Sequence, residues 1–133
     1  MWVNHENKLR KKLIQVAKGR KTITYEQLMK EFNIPWKEIG NELGKISLYE
    51  DSKGRPLLSA IVVRKGSRSS RICPNGSPGS GFFGIPTPTI PAELRRPESE
   101  RSNPVLTGDE LRFVRSEQDK VWRYWQTHED DEE

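Results

Sequence analysis

Cysteine and histidine are scarce in this chain of 133 residues. It contains one cysteine, Cys73, and two histidines, His5 and His128, which lie near opposite ends of the sequence. A single cysteine cannot form an intramolecular disulfide, and three dispersed side chains cannot supply the convergent ligand set that zinc requires. We therefore expect no metal site, and we expect no other cofactor.

Long apolar runs are also missing. Apolar residues make up 32% of the chain and charged residues another 32%. The longest apolar stretch, residues 57–63, is much shorter than the roughly 20 residues that span a bilayer. The N-terminus lacks the apolar segment of a signal peptide. Together with the lone cysteine, these features favour a small single-domain protein of the cytoplasm with no membrane partner.

Motifs of catalysis are absent. The sequence has no nucleophile elbow, no metalloprotease helix motif and no phosphate-binding loop. Cys73 lies in a basic loop, where Arg68 and Arg71 would lower its pKa, but it has no neighbouring base. We therefore favour a protein that is not an enzyme and assign no catalytic residue. An atypical nuclease or base-modifying enzyme remains a third hypothesis.

Charge is distributed in blocks of opposite sign. Residues 53–96 carry eight basic side chains and one acidic one, whereas residues 97–133 carry five basic and eleven acidic side chains. A basic block of this density attracts phosphate polyanions. The alternative is a solvated basic face that the acidic end of the chain partly neutralises.

The spacing of apolar residues predicts four helices. Thr24 with Gln27, and Thr107 with Glu110, form capping boxes that begin the second and fourth of them. The predicted helices cover residues 2–18, 25–32, 35–46 and 108–127.

The third predicted helix has one apolar stripe and two glycines. The stripe places Trp36 in the core with Ile39 and Leu43. Gly40 and Gly44 are expected to let a neighbouring element approach closely.

Residues 57–64 form a nearly continuous apolar run, which predicts a central strand covered on both faces. Its small residues, Ser59 and Ala60, indicate tight packing. Phe82 and Phe83 are expected to anchor the loop that follows, one in the core and the other partly exposed.

The fold class that these elements favour is α+β. We predict a winged-helix-like helical core with a small sheet and a basic Gly/Ser/Pro loop over residues 1–83. A Pro-rich connector at 84–106, a long C-terminal helix at 107–127 and a disordered acidic tail at 128–133 follow.

The segment Thr24-Tyr25-Glu26-Gln27-Leu28, the helix from Ile34 to Ile46, and the strand and Gly-rich loop beyond it resemble a known family. They are similar to the winged-helix domain of alkylguanine-DNA alkyltransferases and alkyltransferase-like proteins, over residues 22–84. The resemblance implies a DNA-binding scaffold. The family's catalytic Pro-Cys-His-Arg would fall in residues 57–63 and is absent, and neither Trp36 nor Lys37 is the family's arginine. The resemblance therefore does not imply alkyl transfer.

The leading functional hypothesis is a nucleic-acid-binding module, with DNA as the expected partner. Lys37, Asn41 and Lys45 share one face of the third helix, where Asn41 can read a base edge and the lysines can contact phosphate. Glu38 and Glu42 on the same helix weigh against this. The predicted nucleic-acid-binding residues are Lys37, Asn41, Lys45, Arg64, Lys65, Arg68 and Arg71.

The second hypothesis is a protein–protein adaptor. The Pro-rich connector and the aromatic final helix would dock a protein partner, because tryptophan and tyrosine are frequent in binding hot spots. The predicted partner-binding residues are Phe82, Phe83, Trp122, Tyr124 and Trp125.

Overall fold

Four α-helices and a small parallel sheet make up the regular structure of the computed structural model, which describes residues 4–67, 71–100 and 105–130. The α+β class is thereby confirmed. In chain order the elements are α1 (Asn4–Lys18), β1 (Ile23–Thr24), α2 (Tyr25–Phe32), α3 (Trp36–Ser52), β2 (Val62–Val63) and α4 (Gly108–Thr127). Short 3-10 helices lie at Leu58–Ile61, Ser80–Gly84, Ala92–Leu94 and Glu98–Glu100.

Local capping chemistry determines where α2 and α4 begin. The Thr24 hydroxyl accepts a hydrogen bond from the Gln27 backbone N–H at 3.2 Å, and the Gln27 side chain accepts one from the Thr24 N–H at 3.0 Å. Thr107 and Glu110 make the same reciprocal pair at 3.1 and 2.8 Å. Both predicted capping boxes are confirmed, as are the predicted bounds of both helices.

The core lies where α1 and α4 pack on each other and on the 3-10 helix Leu58–Ile61. Leu9 and Leu13 of α1 are fully buried, and Trp122 and Trp125 of α4 are 2% and 1% exposed. The Trp122 indole N–H donates to the Lys21 carbonyl at 3.0 Å, so its one polar atom is satisfied. The C-terminal helix is therefore an integral part of the core.

The strand predicted at residues 57–64 is largely wrong. A buried 3-10 helix, Leu58–Ile61, occupies most of this run, and only Val62–Val63 is extended. A continuous apolar run indicates burial on every side but does not select a conformation. Here Ser47 Oγ lies 2.7 Å from Ser59 Oγ, and Gln118 Nε2 donates to the Ala60 carbonyl at 2.9 Å. These contacts confirm the tight packing expected at the two small residues.

The sheet contains β1 and β2 paired in parallel, with Ile23 opposite Val62 and Thr24 opposite Val63. The residues that the structure describes contain no other strand, and β1 and β2 do not form a hairpin. The winged-helix architecture therefore stays a prediction.

Helix α3 is longer than predicted, because it continues beyond residue 46, where the predicted helix ends, to Ser52. Glu50, in this extension, is fully buried, accepts hydrogen bonds from Arg10 Nε at 3.0 Å and Arg55 Nη2 at 3.1 Å, and forms ion pairs with both guanidinium groups. Buried charge of this kind needs a fixed partner geometry. The extra helical turns supply it by placing Glu50 on the buried face.

The Pro-rich connector and the first residues of the acidic tail are held against the body. Arg96 of the connector is buried and donates to both carboxylate oxygens of Glu110, at 2.7 and 2.8 Å. Asp130 accepts from Arg10 Nη1 at 3.0 Å, and Glu129 pairs with Lys18 at 2.6 Å. Residues 131–133 lie outside the described ranges, and the disordered acidic tail stays a prediction.

Within the part of the chain that the structure describes, none of the helices combines the length and the apolar character needed to cross a membrane.

Candidate nucleic-acid interface

A groove of 1380 Å³ lies along the outer face of α3. One wall is α3 itself, from Trp36 to Leu48, and the facing wall is residues 79–86, which include the 3-10 helix Ser80–Gly84. We call this feature the α3 groove. Its lining includes six polar or aromatic side chains that can contact a ligand: Tyr25, Trp36, Lys37, Asn41, Lys45 and Arg64.

The C-terminal helix leaves this face of α3 open. The described residues that line the α3 groove come from α2, α3 and the segment between Ser59 and Pro86, and none of them belongs to α4. Helix α4 packs instead against α1 and the 3-10 helix Leu58–Ile61. A ligand can therefore reach α3 without displacing any part of the core.

The structure brings four of the seven predicted nucleic-acid-binding residues into one place. Lys37, Asn41 and Lys45 project from the exposed face of α3, and Arg64 follows β2. Arg64 is distant in sequence from the three helical residues, but all four side chains line the same concave surface. Helical spacing predicts that Lys37, Asn41 and Lys45 share one face. The position of Arg64 beside them depends on the tertiary structure.

Of the other three predicted residues, the two that the structure describes do not line the groove. Lys65 is exposed beside the groove, and its ammonium is 3.9 Å from the Glu26 carboxylate, which is exposed as well. Arg71 is exposed and does not line the groove. Arg68 lies outside the described residues.

Trp36 is exposed, which corrects its predicted position in the core. Its side chain is 73% exposed, and the Lys37 ammonium lies 5.9 Å from the ring centroid. Helical periodicity gives the direction of the buried face, but it does not say how far along the helix the covering elements extend. Ile39 and Leu43 are covered, whereas Trp36, in the first turn, lines the groove.

Glycines open the groove. A Cβ atom built at Gly40, Gly44 or Gly81 would have no neighbour within 4 Å. The expectation that Gly40 and Gly44 admit a closely packed element is therefore wrong. They instead leave the α3 backbone bare along the wall, and Gly81 does the same on the facing wall.

Tyr25 holds the second wall in position. Its hydroxyl accepts a hydrogen bond from the Gly79 N–H at 2.9 Å, and the Arg64 side chain packs beside the same glycine. Burial raises the pKa of the Tyr25 phenol, partly offset by the Gly79 hydrogen bond and by the charge of Arg64. The neutral phenol is the form that links α2 to the loop.

The charges of the groove are mixed, with a positive excess. Lys37, Lys45 and Arg64 line it together with Glu38 and Glu42. Lys45 is 62% exposed, and its ammonium lies 3.7 Å from the carboxylate of Glu6, whose side chain is only 12% exposed. Such a surface can contact the phosphate backbone of a polyanion without selecting a particular sequence.

Four of the five residues predicted to bind a protein partner are buried. Phe82 and Phe83 are both buried, so the expectation that one is partly exposed is wrong; their rings pack edge to face at 5.3 Å, and each lies near Phe113 of α4. Trp122 and Trp125 fill the core, and Tyr124 is half-buried and stacks on His128 at 3.9 Å. The buried Trp122 and Trp125 belong to the apolar stripe of α4 and stabilise the fold, and the docking role of the half-buried Tyr124 stays a prediction.

Cys73 is buried, and its thiol donates to the Leu111 carbonyl at 3.1 Å. Burial raises the pKa of the thiol, and this outweighs the opposing effects of Arg115. The pKa reduction expected from Arg68 and Arg71 is therefore wrong. A protonated, enclosed thiol is unreactive as a nucleophile.

A second, smaller depression of 500 Å³ lies between α4 and the residues that follow α3. Glu117 at its base accepts a hydrogen bond from the Leu57 N–H at 2.9 Å. Burial raises the pKa of the Glu117 carboxyl, against the effects of the Leu57 hydrogen bond and Lys120. Among the described residues, no three histidine, cysteine or acidic side chains are close enough to hold a metal ion.

The chain matches no protein-family model, and neither the curated proteins nor the solved structures include a significantly similar one.

Proposed function

We propose that this protein is a non-enzymatic nucleic-acid-binding module and that its binding surface is the α3 groove. The observation that carries the proposal is the convergence of Lys37, Asn41, Lys45 and Arg64 on one open concave surface beside the exposed ring of Trp36. DNA is the expected nucleic acid, as the resemblance to the alkyltransferase winged-helix domain implies.

The electrostatics support a polyanionic ligand. Lys37, Lys45 and Arg64 reach the groove from two sides, and Lys65 extends the positive surface beyond it. The Lys65–Glu26 contact joins two exposed groups at 3.9 Å, so it competes weakly with a phosphate. Three phosphate contacts predict a slope of about −3 for a duplex and about −2 for a single strand, when the logarithm of the association constant is plotted against the logarithm of salt concentration.

Base recognition in this surface would be limited. Asn41 is the groove side chain best suited to a base edge, since its amide both donates and accepts. Glu38 and Glu42 repel phosphates and restrict where the backbone can lie. We therefore expect modest affinity, strong salt dependence and weak sequence preference.

Fluorescence anisotropy with a labelled oligonucleotide tests the proposal. Replacing Lys37, Lys45 and Arg64 together by alanine should abolish binding at low salt and flatten the salt dependence. A matched control replaces the exposed Lys11, Lys30 and Arg112, which do not line the groove, and removes the same charge.

The control variant should keep most of the affinity. Equal loss in both variants would show a general charge effect with no site. Failure of the wild-type protein to bind any nucleic acid at low salt would reject the proposed function.

A further inference from the structure

The shape of the α3 groove bears on which form of nucleic acid it accepts. A helix that reads duplex DNA must protrude, because the major groove is about 12 Å wide and a helix with its side chains is about 10–12 Å across. Helix α3 does not stand alone in this way. Its exposed face borders a concavity whose opposite wall is residues 79–86, and that wall obstructs the insertion of α3 between two DNA strands.

Trp36 provides a flat aromatic surface within the same concavity. Its side chain is 73% exposed, and it lines the groove together with Lys37 and Asn41. In a duplex the base faces are stacked on each other, and the side chain of a groove-binding protein cannot reach them. A single strand presents them freely, and stacking on an aromatic ring is how sequence-tolerant proteins hold single strands.

The bare backbone of both walls leaves room for flat bases beside Trp36. Gly40 and Gly44 on α3 and Gly81 on the facing wall have open space where a side chain would be. The basic side chains surround this space. Lys37 and Lys45 belong to one wall, and Arg64 lies beside Gly79 of the other wall. This arrangement is complementary to a strand whose bases face inward and whose phosphates face the rims.

From this geometry we propose that the α3 groove binds single-stranded nucleic acid, with one base stacked on Trp36 and the adjoining phosphates on Lys37 and Arg64. The inference rests on the proposed function and narrows its ligand to unpaired strands. Asn41 is placed to hydrogen-bond the edge of a neighbouring base.

The test compares a labelled oligothymidine of about 10 nucleotides, within the usual site size, with a duplex of the same length. The single strand should bind at least about tenfold more tightly at low salt, since the duplex offers no base face to Trp36. Trp36→Ala should weaken single-strand binding by about tenfold or more, and Trp36→Phe should restore most of it because the stacking surface is retained.

Gly40→Leu supplies an independent test, because its side chain would fill the open space on the α3 wall. Leucine is a better helix former than glycine, so this variant should fold at least as stably as the wild type while losing single-strand affinity. Urea unfolding checks the first expectation and anisotropy checks the second. Gln15→Leu in α1 is the control, because Gln15 is uncharged, exposed and outside the groove.

The outcomes separate the two proposals. Duplex binding as tight as single-strand binding, or unchanged affinity in Trp36→Ala, would overturn the single-strand inference and leave nucleic-acid binding in place. Absence of binding to either form would overturn both. A complex with a protein partner that is stable at high salt, combined with no affinity for nucleic acid, would favour the adaptor hypothesis. This outcome would also overturn both proposals.

Discussion

Arg10 and Glu50, 40 residues apart in sequence, form an ion pair of 3.0 Å in which both side chains are fully buried. The pair joins α1 to the last turns of α3. Asp130 binds the same guanidinium from the end of the chain, and the rings of Tyr49 and Trp125 lie within 6 Å of it. Arg10 therefore connects three separate segments around one buried charge.

Replacement of Arg10 by methionine should be strongly destabilising. Methionine preserves most of the volume but removes the Arg10 charge, so that the Glu50 carboxylate keeps its ion pair with Arg55 and loses the one with Arg10. Loss of one member of a buried pair costs about 3–5 kcal/mol. Urea unfolding measures this cost. Lys12→Met is the control, because the Lys12–Glu31 pair is partly exposed at 3.3 Å and should be worth about 1 kcal/mol or less. Similar losses in the two variants would contradict the prediction.

Glu110 should make the protein sensitive to acid. Burial by itself would raise the pKa of its carboxyl, but the hydrogen bonds from Arg96 and Thr107 and the charge of Arg96 lower it below the ordinary 4.5. A carboxyl whose pKa is lower in the folded state stabilises the fold above pH 4.5, and this contribution disappears as pH falls through the folded-state pKa.

Glu110→Gln tests this expectation through thermal unfolding over a pH series. The variant should be less stable than the wild type near neutral pH, and the difference should shrink as the pH falls below 4.5. A difference that does not depend on pH would indicate that packing, and not charge, explains the loss.

The contribution of Glu117 to the stability of the fold should depend on pH in the opposite direction. Burial raises the pKa of its carboxyl above the ordinary 4.5, against the Leu57 hydrogen bond. A raised pKa in the folded state means that the stabilising effect of protonation is complete below pH 4.5 and is lost as pH rises through the folded-state pKa.

Glu117→Gln keeps an oxygen that can accept from the Leu57 N–H but carries no charge to desolvate. The variant should match the wild type in mild acid and exceed its melting temperature at alkaline pH. Glu117→Leu is the informative comparison, because it also removes the acceptor and should destabilise the protein at every pH. A Gln variant that is less stable at alkaline pH would contradict the prediction.

Gly76 and Gly40 should respond oppositely to alanine. Gly76 has a φ of 100°, and an added Cβ would lie 3.0 Å from Val63 Cβ and from Ser67 Oγ, so Gly76→Ala combines backbone strain with a clash and should cost more than about 1 kcal/mol. Gly40 lies within α3 and has open space around it, so Gly40→Ala should stabilise by about 0.5–1 kcal/mol. Chemical denaturation of the two variants compares them directly.

Local chemistry made the helices predictable from sequence. Thr24 and Thr107 cap α2 and α4 through residues only three positions away, and the apolar stripes of these helices repeat within a few turns. Sequence patterns that span only a few residues can be recognised without knowing the fold.

Features that depend on distant neighbours were not predictable. The conformation of residues 58–61 relies on contacts from α3 and α4, such as Gln118 to the Ala60 carbonyl. Trp36 and Trp122 both continue an apolar stripe, yet one is exposed and the other buried, because only Trp122 is covered by another element. The same limit applies to the candidate site. The face shared by Lys37, Asn41 and Lys45 followed from helical spacing, whereas the second wall of the groove did not.

The packing of α1 against α4 has a consequence for how the chain is made. The ribosome synthesises α1 early, but the tryptophans that cover it, Trp122 and Trp125, emerge only after the connector. Until then Leu9 and Leu13 lack much of their native covering, and the nascent chain exposes apolar surface that chaperones recognise. Productive folding must therefore wait until nearly the whole described chain has left the exit tunnel.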